Sequence, residues 1–203
     1  MTNMSSRRLL LILGILWMGT ARASSTEAIS VSGGVVDYTV FQYTIGNQFT
    51  TLQNIAVTDI GVFSISGLAQ SYEVGLWDSF GNLLATATVD STLDVNQFEY
   101  VSITPVSLAA GESFCVGELI NSTAQWLAFS AITPAPGLVF DYGVYDRTAT
   151  PSLTDPTTST VGLGGSVGPS FKFTSVPEPR TFGSLFLSLF AMTKFARKLR
   201  VQP

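Results

Sequence analysis

Tyr72-Glu73-Val74-Gly75-Leu76-Trp77-Asp78, then Ser79-Phe80-Gly81-Asn82, then Leu83-Leu84-Ala85-Thr86-Ala87-Thr88-Val89, is the stretch that decides the fold. Tyr72, Val74 and Leu76 share one side of an extended chain, opposite Glu73 and Gly75, because side chains alternate across a strand. Beyond the turn, Leu83, Ala85, Ala87 and Val89 make a matching apolar face against Thr86 and Thr88. The connection from Asp78 to Asn82 closes on Gly-Asn, which suits a hairpin. Period-two alternation on both sides of a short turn predicts two antiparallel strands with one buried face.

The same signature extends in both directions. Val35–Tyr43, Phe49–Leu52 and Ile55–Ile65 read as strands, with Thr44–Asn47 a loop between the first two. Gln97–Thr104 is a strand stopped by Pro105, since proline cannot donate to a ladder. Ser113–Ile120, Gln125–Ala131, Leu138–Tyr145 and Ser170–Ser175 follow, and the Thr-, Ser-, Pro- and Gly-rich stretch 146–168 reads as a long surface loop. No segment of the body carries helical periodicity. The expectation is an all-β domain over residues 24–175, an antiparallel β-sandwich of jelly-roll type.

Composition narrows the chemistry. Of the ten Lys and Arg, only Arg147 and Lys172 lie in residues 24–176, against thirteen of the fourteen Asp and Glu, a net of −11. Such a surface repels phosphate backbones and argues against nucleic-acid binding. Histidine is absent, which removes Ser-His-Asp and Cys-His catalysis and His-ligated metals. Cys115 is the single cysteine, so no intrachain disulfide forms, and its strand-like surroundings make it a packing thiol. These features point away from an enzyme.

The two ends carry addresses. In residues 1–23, Arg7 and Arg8 precede the apolar run Leu9–Gly19, and Ala21-Arg22-Ala23 satisfies the small-x-small cleavage rule of a secretory signal helix. Signal peptidase is the partner this implies. Residues 176–203 open on Val176-Pro177-Glu178-Pro179-Arg180-Thr181, continue through the charge-free Phe182–Thr193, and close on Lys194, Arg197, Lys198 and Arg200. Twelve apolar residues rise about 18 Å as a helix, short of a hydrocarbon core of about 30 Å. Extended to Leu199 the helix reaches about 27 Å, enough for a temporary stop in the membrane, with the basic end on the cytoplasmic side.

The sequence Val176-Pro177-Glu178-Pro179, Thr181, the apolar segment and the basic end together resemble the bacterial PEP-CTERM sorting signal. The resemblance covers about 28 residues and implies processing by a membrane-embedded exosortase near Pro-Glu-Pro. It further implies delivery to a Gram-negative cell envelope or an extracellular, exopolysaccharide-rich biofilm matrix. Arg180 stands where a small residue is usual. Thr44-Ile45-Gly46, Tyr72–Asp78, Gly81–Ala85 and Pro105–Gly111 also resemble segments of an uncharacterised bacterial β-sandwich module found with that tail; this second resemblance implies the sandwich and no activity.

Within the body, three ligand chemistries are weighed. Trp77, Asp78, Asp141 and Tyr142 are the candidate contacts of a carbohydrate-binding module for exopolysaccharide, with the ring of Trp77 or Tyr142 facing a sugar. Tyr142 and Tyr145 fall on opposite faces of one strand unless it is bulged. Glu73, Asp78, Asp141 and Asp146 would offer oxygen to Ca²⁺ if the strand ends met, although no Asp-x-Asp-x-Asp loop is present. A glycoside hydrolase would need two carboxylates at a working separation, and no spacing here fixes such a pair. No cofactor or catalytic residue is expected. The first expectation is a structural or adhesive exported protein.

Overall fold

The hairpin forms where the alternation places it. The computed structural model describes residues 24–33, 35–39, 42–120, 124–147, 152–159 and 165–177. The signal segment with Ala21 and Ala23 lies outside these residues. So do Glu178, Pro179 and Thr181, together with the expected terminal helices. Among the described residues no helix is long and apolar enough to cross a membrane.

The first half of the chain supplies β1 (Thr26–Glu27), β2 (Ile29–Ser32), β3 (Val35–Thr39), β4 (Tyr43–Thr51), β5 (Ile55–Ser64), β6 (Tyr72–Asp78) and β7 (Leu83–Val89). The second half supplies β8 (Gln97–Leu108), β9 (Ser113–Ile120), β10 (Ala124–Pro134), β11 (Leu138–Arg147), β12 (Thr158–Ser159), β13 (Gly165–Val167) and β14 (Pro169–Ser175). One sheet has the order β1-β14-β5-β8 and a larger one the order β12-β11-β4-β9-β6-β7. In a third, small sheet β10 pairs with β2, β3 and β13. Every pairing is antiparallel. The protein is an all-β, sandwich-like antiparallel fold.

One core lies between the two larger sheets. Phe171 of β14 meets Phe49 of β4 and Phe114 of β9 edge-on, each with ring centroids 5.2 Å apart. All three rings are fully buried, joined by Ile55, Val57 and Ile60 from one sheet and Val74, Leu76 and Val116 from the other. Offset and edge contacts of this kind add to the burial term.

Four expectations need correction. Thr44–Asn47 is no loop: it lies within β4, paired to β9 on one side and β11 on the other. Gly46 and Asn47 mimic turn chemistry, but Gly46 is covered by Pro156 on the outer face and Asn47 is buried on the core side. Pro105 does not end its strand, because β8 is an edge strand and the register shifts beside it, so the missing N–H removes nothing from the ladder. Residues 146–168 are not simply surface loop, since they contain β12 and β13 and bury Pro156. Leu83 leaves the apolar face: a bulge at Leu84 pairs it with Trp77 and leaves it half exposed.

Candidate functional site

The residues singled out from the sequence converge on the outer face of the six-stranded sheet. Trp77 pairs with Cys115, Cys115 with Gln48, and Gln48 with Tyr142, so the two rings belong to one cross-strand row. Three strand spacings of about 4.8 Å separate their backbones by about 14 Å. The adjoining row is Gly75, Gly117 and Gly46. Three adjacent glycines leave a trough in the sheet, and the protein fills it itself. The Trp77 ring lies so close over Gly75 that no side chain would fit there, and a Cβ on Gly117 would lie 3.2 Å from its Cζ3. Pro156 occupies the space over Gly46, 2.9 Å from where a Cβ would stand. Trp77 is accordingly 3% exposed, and it is a packing residue in place of the sugar platform expected of it.

Tyr142 is 40% exposed on the same face. The β11 bulge falls between Phe140 and Tyr142, ahead of both tyrosines, so it leaves Tyr142 and Tyr145 on opposite faces. Tyr145 packs against the core. Asp141, at the bulge, accepts a 2.8 Å hydrogen bond from the Thr50 hydroxyl.

Asp78 is engaged by its own turn. Its carboxylate accepts the backbone N–H groups of Phe80 and Asn82, each at 2.9 Å, and the Asn82 side-chain amide at 2.8 Å. The Asn82 bonds above all hold it below the usual carboxylate range. The residue sequence reasoning missed is Asp155. It sits in a strap, residues 152–157, that crosses the sheet. There Thr154 accepts nothing from Asp146 but donates its hydroxyl to that carboxylate at 2.9 Å, while its N–H donates to the Thr44 hydroxyl at 3.1 Å. Burial, then the charges of Asp78 and Asp146, push the Asp155 carboxyl above its ordinary value. The available signal was the tripeptide Thr154-Asp155-Pro156, hidden among similar turn-forming neighbours.

The set Glu73, Asp78, Asp141 and Asp146 is thus divided. Asp78 and Asp146 both act on Asp155, while Asp141 is held by Thr50. Among the described residues no three His, Cys, Asp or Glu side chains are grouped to hold a metal ion.

Cys115 lies beneath the strap. Burial, followed by the Asp155 charge, pushes its thiol far above the usual range. The thiolate is the reactive form. The folded protein is therefore expected to resist maleimide labelling at pH 7 and to label fully once unfolded, as mass spectrometry would report; rapid labelling of folded protein would contradict the burial.

A carboxyl on the core side of the same sheet also escaped the sequence reading. Phe114, Val116, Glu118 and Ile120 alternate onto the buried face of β9, and Glu118 is 1% exposed. Its Oε2 has no hydrogen-bond partner among the described residues, and its Oε1 fills the space beside Gly168 that a side chain there would need. On neighbouring β4, Asn47 donates from Nδ2 to the Pro169 carbonyl at 3.2 Å, and its own Oδ1 has no partner among the described residues. Burial pushes the Glu118 carboxyl up to about 8. The signal was present: one acid in the inward phase of an apolar strand.

A family described as "Domain of unknown function (DUF4082)" matches residues 32–160, well over half of the chain. The chain belongs to the DUF4082 family. No curated protein matches it. The DUF4082 match encloses the trough, the strap as far as β12 and Glu118, yet stops short of β14, which lies between β1 and β5 and brings Phe171 and Phe173 into the core. The structural unit therefore runs past the matched residues to Ser175.

Proposed function

We propose that this is an exported cell-envelope or matrix protein, sorted and trimmed through a C-terminal tail of the PEP-CTERM type, with a structural or adhesive role. One observation carries the reading: the sheet stops where the tail motif starts. Ser175 is the last paired residue of β14, Val176 donates its N–H to the Asn54 carbonyl at 2.9 Å, and Pro177 follows at once. Gln53 holds the Ser175 hydroxyl at 2.9 Å, and the Asn54 side chain accepts the Ala110 N–H at 2.9 Å, so this end of the body is tied together. A protease acting near Pro-Glu-Pro would trim the tail without touching the sheet.

The other end agrees with this. Thr26 pairs with Phe173, so Ser24, the first residue after the expected signal cleavage, emerges beside Ser175. The strand orders β1-β14-β5-β8 and β4-β9-β6-β7 support a jelly roll, a frame that lectin and capsid domains also use. The partners in this reading are signal peptidase and an exosortase, with transient residence in the inner membrane. Deleting residues 176–203 in the producing cell is expected to change both the destination and the mature mass of the product. An unchanged destination together with an unchanged mature C-terminus, by fractionation and intact-mass measurement, would overturn the reading.

A further inference from the structure

The pole of the sandwich opposite the tail exit carries a cleft of about 650 Å³, in the size range of small-molecule sites. It opens where the chain leaves the four-stranded sheet after β1 and continues as β2 against β10, and its other wall is the Phe63–Phe98 end of β5 and β8. Phe63 and Phe98 meet edge-on at 4.9 Å, and Phe98 continues to Tyr100 at 5.7 Å. Phe63 and Phe98 are cross-strand partners and only partly buried, and Phe98 also packs against the margin of the core. Phe63 and Ile65 also line an adjoining hollow of about 260 Å³ beside Leu93, so the groove is elongated.

The polar lining is neutral in effect. Glu27 is the single charged residue in it, and Lys172 pairs with it at 3.7 Å while standing 4.2 Å from the Tyr100 ring centre. The remaining polar groups are amides and hydroxyls. Ser30 and Ser32 make no side-chain hydrogen bond among the described residues, and Gln97 donates to Glu99 at 2.7 Å, leaving its own oxygen as an acceptor. Asn96 is the one non-glycine among the described residues at positive φ, 59°. Its N–H is held by the Ser64 carbonyl at 2.6 Å, and its side-chain amide makes no hydrogen bond among the described residues. Asparagine takes this left-handed conformation more readily than most other non-glycine residues, and glycine takes it without cost.

Partly exposed rings, uncommitted amides and hydroxyls, and compensated charge match a ligand with apolar ring faces and a hydroxylated rim. The net charge of −11 on the body disfavours an anionic one. We infer that this cleft binds a neutral oligosaccharide several sugars long. The inference deepens the adhesive reading and rests on it for the source of the glycan, but not for the binding itself.

The test uses full-length protein in a non-glycosidic detergent, titrated calorimetrically with neutral hexasaccharides of glucose (β-1,4 and α-1,4) and mannose, and with hexagalacturonate. At least one neutral hexamer is expected to bind saturably, with hexagalacturonate at least tenfold weaker. Asn96→Gly and Phe98→Ala are each expected to weaken binding at least tenfold. Asn96→Gly removes the amide while suiting the backbone, so its melting temperature should hold or rise, which separates lost contact from lost fold. Absence of binding by every neutral hexamer, equal binding of hexagalacturonate, or unchanged affinity in Asn96→Gly would overturn the inference. A failed glycan titration would leave the tail-deletion result untouched, and the reverse holds equally.

Discussion

A Glu118→Gln variant is expected to melt roughly 10 °C above the parent protein at pH 9 and within a few degrees of it at pH 5. The cause is the buried carboxyl on β9, whose value in the folded protein is about 8 against an ordinary 4.5. Between those values the native state keeps a proton that the unfolded chain has released. Stability therefore falls as pH rises through that window and reaches its floor above pH 8. The difference in protonation free energy is on the order of 5 kcal/mol. In a domain of this size each kcal/mol moves the melting temperature by about 2–4 °C. Glutamine keeps the side-chain volume and cannot ionise, so the pH slope should vanish with it. A parent protein equally stable at pH 5 and pH 9 would show that the core does not confine this proton.

Phe171→Ala is expected to destabilise the fold by about 4 kcal/mol, read as a lower urea midpoint at unchanged slope. The ring is fully buried and contacts Phe49, Phe114 and Phe173. It bridges the two large sheets, so neither can move in to refill the space it leaves. Its strand lies beyond the region matched by the DUF4082 family. A loss below about 1 kcal/mol would mean that β14 is an accessory to a core complete without it.

The hairpin over Tyr72–Val89 was legible because its whole argument is local: alternation, a turn and a second alternation within eighteen neighbouring positions. What escaped was set by distant partners. Gly46-Asn47 carries turn chemistry, yet both neighbouring strands and Pro156, far along the chain, hold it extended. Pro105 reads as a terminator unless its strand is known to lie at an edge. Nothing in the segments around Trp77 and Tyr142 shows that one cross-strand row joins them, or that a glycine trough draws the tryptophan inward. The cleft was the least legible, because it exists only where the chain passes from one sheet at β1 to another at β2.

The position of β14 has a mechanical corollary. The tail leaves at the Ile55 end of β5, and Phe63 lies eight residues away at the other end, roughly 26 Å along the strand. Tension between an anchor at Pro177 and a ligand held near Phe63 would run lengthwise down β14. Its seven rungs to β5, from Ser175–Ile55 to Pro169–Val62, would then bear the load together in shear, whereas a pull across the strands would peel them one at a time.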